Sequence, residues 1–386
     1  MKDLFWFSFI LIVYTYIGYP MIVYIISLFY REHKPDAYIY PDVSIIISAY
    51  NEEKHIEAKL SSIFELDYPK EKIEVLIGSD GSTDRTNEMI AKHEIASAPA
   101  APRNDKIKIP RNDSVPLKLY KQSQRQGKPS ILNKLVKESK AEILVFTDAR
   151  QVLDRDSVKE LVKNFSDNRV GSVSAELFFR KEDSQVGSGV GLYWEYEKFI
   201  RKAESRIGSM LGATGALYAV RRELFCEAPE DLILDDMYIP MRVVEKGYRA
   251  IFDRDAKVYD TYSSGAREEF GRKTRTLAGN FQFFMKVRWP WRIGWQIISH
   301  KYLRLIMPYL LAALLISNFF IMYDNAFYSV FILMQVLFYI FASAGIWLKR
   351  KNRICDVSYM FCVMNAAAVE GLVKFIMGKQ EVAWKK

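Results

Sequence analysis

The sequence predicts an α/β protein in which a mostly parallel sheet, covered by helices on both faces, is joined to α-helical membrane-spanning segments. Two observations carry that expectation. Short β-branched runs alternate with helical patterns in the middle of the chain, and long uncharged runs crowd into its two ends. With 386 residues, 50% of them hydrophobic and 26% charged, the chain is long enough for a large core. It is too mixed in composition for a disordered, collagen-like or coiled-coil protein.

The central elements follow in order. Val43 to Ser48 reads as a strand, about Glu53 to Phe64 as a helix, Ile73 to Ser79 as a strand, about Asp84 to Ile95 as a helix, and Ile143 to Thr147 as a strand. Ser44-Ile45-Ile46-Ile47-Ser48 and Ile143-Leu144-Val145-Phe146 are apolar on both faces, as strands buried between two helix layers must be. Such sheets bind ligands at the carboxyl ends of their strands, which points to Ala49–Glu52, Asp80–Asp84 and Asp148–Arg150. The polar, Pro-rich stretch from Ala96 to Pro116 reads as a surface excursion with a short edge strand at Lys106–Ile109.

At the ends, Leu4–Tyr30 is uncharged for 27 residues, enough at about 1.5 Å per residue to cross a hydrocarbon core of roughly 30 Å. Leu305–Met322 and Ala326–Leu348 read as a membrane hairpin around Tyr323-Asp324-Asn325. Val357–Met377 carries Asn365, Glu370 and Lys374 and is compatible with spanning, re-entering or lying in the interface. Arg31, Lys34, Lys301, Arg304, Lys349, Arg350, Lys351 and Arg353 flank these runs, and the positive-inside rule places all of them in the cytoplasm. The expected organisation is an anchor over 1–30 and a cytoplasmic domain over 31–304 with an interfacial segment near 283–304. A membrane region over 305–386 follows, with spans at 305–322 and 326–348 and a spanning or re-entrant segment at 357–377. The net charge of +9 lies largely beside the apolar runs, which fits an anionic lipid bilayer better than nucleic acid. Cys226, Cys355 and Cys362 form no CxxC and read as free thiols.

Several polar clusters close these strands. Ser48-Ala49-Tyr50-Asn51-Glu52-Glu53 meets a helix start, where it can serve as an N-cap or as a nucleotide contact. In Ser79-Asp80-Gly81-Ser82-Thr83-Asp84, a capping turn explains Gly81, Ser82 and Asp84 but leaves Asp80 over. Gln126-Gly127-Lys128-Pro129 opens a helix and lacks P-loop spacing; Lys128 suits either a phosphate contact or a solvated turn. Thr147-Asp148-Ala149-Arg150 puts a carboxylate after a buried strand, a plausible ligand for Mg²⁺ or Mn²⁺. Asp235-Asp236 follows an apolar run and suits a general base, with a helix cap as the competing account. Arg272-Lys273-Thr274-Arg275, with Trp289, Trp291 and Trp295 beyond, fits a diphosphate or a lipid surface.

Taken in order, Ala49-Tyr50-Asn51-Glu52, SDGSTD, Gly127-Lys128 with Asn133, TDAR, GATGA and LDD resemble the family 2 glycosyltransferases, inverting enzymes with a GT-A fold. The resemblance spans nearly all of the central domain, and the membrane layout looks like that of bacterial exopolysaccharide-type synthases. It implies that Tyr50, Glu52, Asp80, Lys128 and Arg275 bind a nucleotide-sugar donor, a UDP-sugar. Asp148 contacts the donor and its Mg²⁺ or Mn²⁺, and Asp236 is the base. Thr214, Gly215 and Asp235 fall by a saccharide or lipid-linked acceptor. Two motifs depart from the pattern. Arg150 stands where many members carry the second Asp of Asp-x-Asp, and Arg272 and Thr276 replace the Gln and Trp of the Gln-Arg-x-Arg-Trp signature of processive members. The implied setting is a multi-pass cell-membrane enzyme with a cytoplasmic catalytic domain, working with partners of a polysaccharide assembly system. The rival readings are a polyprenyl-phosphate glycosyltransferase and a non-catalytic nucleotide-sugar-sensing subunit.

Overall fold

Eight strands form one sheet: β1 (Val43–Ala49), β2 (Ile73–Asp80), β3 (Leu117–Gln122), β4 (Ile143–Phe146), β5 (Val152–Leu153), β6 (Val170–Arg180), β7 (Tyr218–Arg221) and β8 (Arg249–Thr261), in the order β3-β2-β1-β4-β7-β6-β8-β5. The structure is a computed structural model that describes residues 1–33, 35, 37–97, 115–180, 187–261, 266–347 and 353–378. The edge strand expected at Lys106–Ile109 lies outside them.

The first half of the sheet is parallel, with Val43 opposite both Ile73 and Ile143 and Val75 opposite Leu117. Beyond β4 the sheet is mixed. β7 runs antiparallel to β4 and β6, β5 antiparallel to β8, and only β6 and β8 are again parallel. The sequence chain of β1, β2 and β3 moves outward to one side, and β4 returns to the other side of β1. That reversal opens the crevice in which doubly wound sheets bind their ligands, at the tips of β1 and β4. Because β7 is antiparallel, with Tyr218 opposite Phe146, the loop leading into it arrives at the same edge.

β1, β2 and β4 are buried on both faces, as their composition requires. Ile46, Leu76, Leu144 and Phe146 pack with Ile131, Leu132 and Leu135 of the helix Lys128–Glu138 and with Ile239 and Val243 of the helix Asp235–Glu245. Ile45 and Ile47, which alternation turns to the opposite face, are also fully buried.

The chain divides into two compact units. One comprises Glu32–Arg180 and Gly208–Thr261 and holds the whole sheet; the other comprises Met1–Arg31, Lys181–Ile207 and Tyr262–Gln380. Among the described residues of the second unit, four helical stretches are long and apolar enough to cross a membrane: Lys2–Leu28, Trp291–Ile321, Ala326–Gly345 and Ile354–Ile376. The first passes through a π-helical turn, Tyr14–Gly18, just before Pro20, whose missing N–H breaks the regular ladder. Phe5 packs edge-on against Phe327, Tyr328 and Phe331. In the last stretch two of the three charged residues pair across one turn, Lys374 Nζ lying 2.6 Å from Glu370.

The helix Gly187–Ile207 belongs to this apolar unit although it carries seven charged residues from Glu195 to Arg206. Its two buried carboxylates find partners within the unit, although Glu204 Oε2 is left without a hydrogen bond. His300 places Nδ1 2.7 Å from Glu204 and Nε2 3.2 Å from Glu197, the Tyr19 hydroxyl donates to Glu204, and Arg304 pairs with Glu197. Arg304, one of the flanking cations behind the expected orientation, is thus neutralised within the unit. The three cysteines are free.

Candidate active site

The tips of β1 and β2 are tied together by the residues that suggested caps. Asn51 adopts φ +52°, a left-handed conformation that Asn tolerates, and its Oδ1 accepts from the Thr83 N–H at 2.9 Å. The Asn51 N–H donates to Ser82 Oγ, the Glu52 N–H to Thr86 Oγ1 at 2.7 Å and the Glu53 N–H to Asp84 at 3.1 Å. Most of the polar side chains in these two motifs therefore hold the strand tips in place. The Glu52 carboxylate is 2.9 Å from His55 Nδ1.

Asp80 is 3% exposed, and its two oxygens accept the N–H groups of Gln126 and Gly127 at 2.7 and 2.8 Å. This fixes the turn before the helix Lys128–Glu138, in which Gly127 sits at φ +96°, a conformation that a side chain would strain. The same turn lays the Arg125 guanidinium on the Tyr50 ring, 3.8 Å from its centroid. Asn133, next on that helix, exchanges two hydrogen bonds with the backbone of Ala228 and is structural.

Lys128 is the centre of the charge arrangement. Its ammonium donates to Asp148 Oδ1 at 2.8 Å and lies 3.1 Å from Asp235 Oδ2, the latter without hydrogen-bond alignment. Burial alone would lower the Lys128 pKa, but Asp148, Asp235 and Asp236 outweigh it and hold the ammonium well above its ordinary range. Asp235 opens the helix Asp235–Glu245 and is only 4% exposed. Its side chain faces Lys128.

Asp236 is partly exposed and is seated by the loop before β7. The Gly215 N–H donates to Asp236 Oδ2 at 3.1 Å, and the Ala213 N–H donates to the Asp236 carbonyl at 2.7 Å. A Cβ on Gly215 would lie 2.9 Å from that carboxylate oxygen, so only glycine permits the approach. Thr214 is buried, and its N–H donates to Ser174 Oγ. Beneath these carboxylates Tyr218 stacks on Phe146 at 4.9 Å; burial, and then Asp235, Asp236 and Asp148, push its hydroxyl well above the ordinary range.

The two departures from the family pattern are placed differently. Arg150 is not left facing the site alone: its Nε lies 2.9 Å from Asp260, and Nη2 donates to the Thr261 carbonyl at 2.8 Å. Asp260, at the end of β8, thus neutralises the cation that stands in for a carboxylate. Arg275 lies on the helix Ala266–Lys286 of the other unit, one residue past Thr274 and three past Arg272, which pairs with Glu269. Two further residues carry no motif signal. Asp260 is one; the other is Lys59, on the helix Ile56–Phe64, which is fully buried and donates to Thr147 Oγ1 at 2.8 Å. Its position three residues after Ile56 and four before Ile63 puts it on the apolar face, a spacing visible in the sequence.

For a divalent cation the donor set is narrow. Among the described residues no three His, Cys, Asp or Glu side chains gather around one point. The Asp148 side chain is 28% exposed and offers hard oxygens, while the Lys128 ammonium already fills the place between it and Asp235. This fits a cation held by Asp148 and, for the rest, by donor phosphates and water.

Known proteins place this geometry. Residues 44–227 match the glycosyl transferase family 2, and residues 143–343, more than half of the chain, match the glycosyl transferase family group 2. The chain is 25% identical over 220 residues to the poly-beta-1,6-N-acetyl-D-glucosamine synthase of Staphylococcus aureus (strain COL), covering 55% of this chain and 48% of that protein. It is 28% identical over 146 residues to the Staphylococcus epidermidis enzyme of the same name, covering 38% and 31%. The chain thus spans about half the length, or less, of these curated relatives. In three dimensions it is similar to the mannosyltransferase PcManGT from Pyrobaculum calidifontis in complex with GDP-Man and Mn²⁺, with TM-score 0.73 and 22% identity, over 97% of this chain and 99% of that one. At that identity the likeness fixes the fold, which is GT-A. A GT-A sheet carrying these matched residues makes the protein an enzyme, and the chain belongs to the family 2 glycosyltransferases.

Proposed function

We propose that the protein transfers a sugar from a nucleoside diphosphate donor to the hydroxyl of a saccharide or lipid-linked acceptor, with inversion, from a catalytic unit on the cytoplasmic side of a membrane. The observation that carries this reading is the separation of roles between two adjacent acids. Asp235 is buried against Lys128, whereas Asp236 is partly exposed and oriented by the Gly215 N–H.

In this reading Tyr50, Glu52 and Asp80 line the nucleotide end of the crevice. Lys128, held by Asp148 and Asp235, meets the diphosphate as a preorganised cation. Asp236 takes the proton of the acceptor hydroxyl. The acceptor oxygen forms its bond to the anomeric carbon from the face opposite the leaving group, the bond from that carbon to the diphosphate breaks, and an α-linked donor yields a β-linked product. A bound Mg²⁺ or Mn²⁺, held by Asp148, supplies added positive charge for the leaving diphosphate. The Thr214–Gly215 turn keeps Asp236 turned to the acceptor side.

UDP-sugars are the first donors to test, because the curated relatives are synthases of an N-acetyl-D-glucosamine polymer. A panel of labelled UDP- and GDP-sugars, incubated with the full-length protein and a native membrane extract, reads nucleotide release and labelled product together. The expected result is equimolar release and transfer with one donor, and a fall in both when excess EDTA is added. Undiminished transfer in EDTA removes the metal from the account. Nucleotide binding without transfer to any extract removes the enzyme reading in favour of a sensor.

A further inference from the structure

Lys59 is a lysine with no exposure, and among the described residues its amine has one hydrogen-bond partner, a neutral hydroxyl. Its ammonium donates to Thr147 Oγ1 at 2.8 Å, and the same hydroxyl donates to the Ala216 carbonyl at 2.6 Å. A hydroxyl has one proton to give and lone pairs to accept with, so the chain Lys59–Thr147–Ala216 uses it fully. Each end of the chain adjoins the site. Thr147 is followed by Asp148, which holds Lys128; Ala216 is preceded by Gly215, whose N–H holds Asp236.

The arrangement is costly for stability. Burial pushes the Lys59 ammonium down to about 7, against the opposing pull of Asp148 and Asp260. A methionine of similar length in the same space would leave no buried charge to solvate, and such replacements are neutral or stabilising in many proteins. Packing therefore gives no reason for an ammonium here, while the geometry of the two loops does.

We infer that Lys59 is a positioning residue of the transfer reaction: through the Thr147 hydroxyl it locks the strand tip that carries Asp148 to the loop that seats Asp236. The donor side and the acceptor side of the crevice come from segments far apart in the chain; the β4–β7 pairing brings them to one edge, and this buried chain of hydrogen bonds ties the two tips together beyond the last paired residues. The inference rests on the roles given above to Asp148 and Asp236.

The test compares full-length Lys59→Met, Thr147→Val and Thr147→Ser with Asp236→Asn, using the labelled donor that the panel identifies. Lys59→Met is expected to unfold at the wild-type temperature or above it. Its kcat falls about tenfold to a hundredfold, the range expected when reacting groups are misplaced by a fraction of an ångström to an ångström, and donor KM changes far less. Thr147→Val shows the same loss, and Thr147→Ser, which keeps the hydroxyl, retains activity. A folded Lys59→Met with wild-type kcat overturns the inference, as do equal rates for Thr147→Val and Thr147→Ser. Should Lys59→Met fail to fold, the Thr147 pair decides alone. Full turnover by Asp236→Asn would instead overturn the functional reading beneath it.

Discussion

Asp236→Asn lowers kcat by about 10²- to 10⁴-fold, the contribution typical of a positioned general base, with little change in donor KM. The substitution keeps the size of the side chain and an oxygen able to accept the Gly215 N–H. Asp236 is the more exposed of its pair, and Asp148 and Asp235 remain beside the Lys128 ammonium in the variant, so the fold and the donor site survive the change. Steady-state rates on the purified variant check this. Near-normal turnover would mean that the acceptor arrives already ionised, as a phosphate does, and would favour the polyprenyl-phosphate reading.

The second large effect comes from Lys128→Met. Removing the ammonium leaves Asp148 and the buried Asp235 facing one another with no countercharge. Breaking a buried pair in this way costs about 3 kcal/mol or more, and the cation proposed to meet the donor diphosphate is lost with it. Thermal unfolding should show the lower stability, and donor KM should rise at least about tenfold, as expected for the loss of a charge-assisted contact. Lys128→Arg keeps the charge but replaces a point ammonium with a planar fork and recovers stability better than it recovers KM. A donor KM unchanged in Lys128→Met would show that the diphosphate is held elsewhere.

Much of this fold is legible in the sequence, and the reason is burial. Ile45–Ile47 and Leu144–Phe146 must be covered on both faces, which demands helices on both sides and a largely parallel arrangement in that half of the sheet. The other half is less legible. β6 pairs with β8 through register shifts at Val170/Ser172 and Ser174/Glu176, which break simple alternation. The helix Gly187–Ile207 reads as part of a soluble domain because it is dense in charge from Glu195 to Arg206. Only tertiary packing reveals that Glu197 and Glu204 are neutralised by Arg304, His300 and Tyr19 among the apolar helices.

The site shows the same division. Asp80, Lys128, Asp148 and Asp236 stand at strand ends or helix starts, and topology explains why those positions converge. Partnerships are harder to read, since pairing partners lie on different elements. Nothing in the local sequence couples Arg150 to Asp260 or Lys128 to Asp235, which are 110 and 107 positions apart in the chain. Lys59 was missed for another reason: a lysine on an amphipathic helix ordinarily belongs to the solvated face, and here the spacing of Ile56, Lys59, Leu60 and Ile63 outweighs that expectation.

The most direct measurement is the anomeric configuration of the newly formed bond, read by proton NMR on product made by the full-length protein from an α-linked nucleotide sugar. A single displacement driven by Asp236 gives a β-linked sugar. An α-linked product would require either two displacements or attack from the leaving-group side, and an acid that activates the acceptor for one in-line step could not then be the centre of the chemistry.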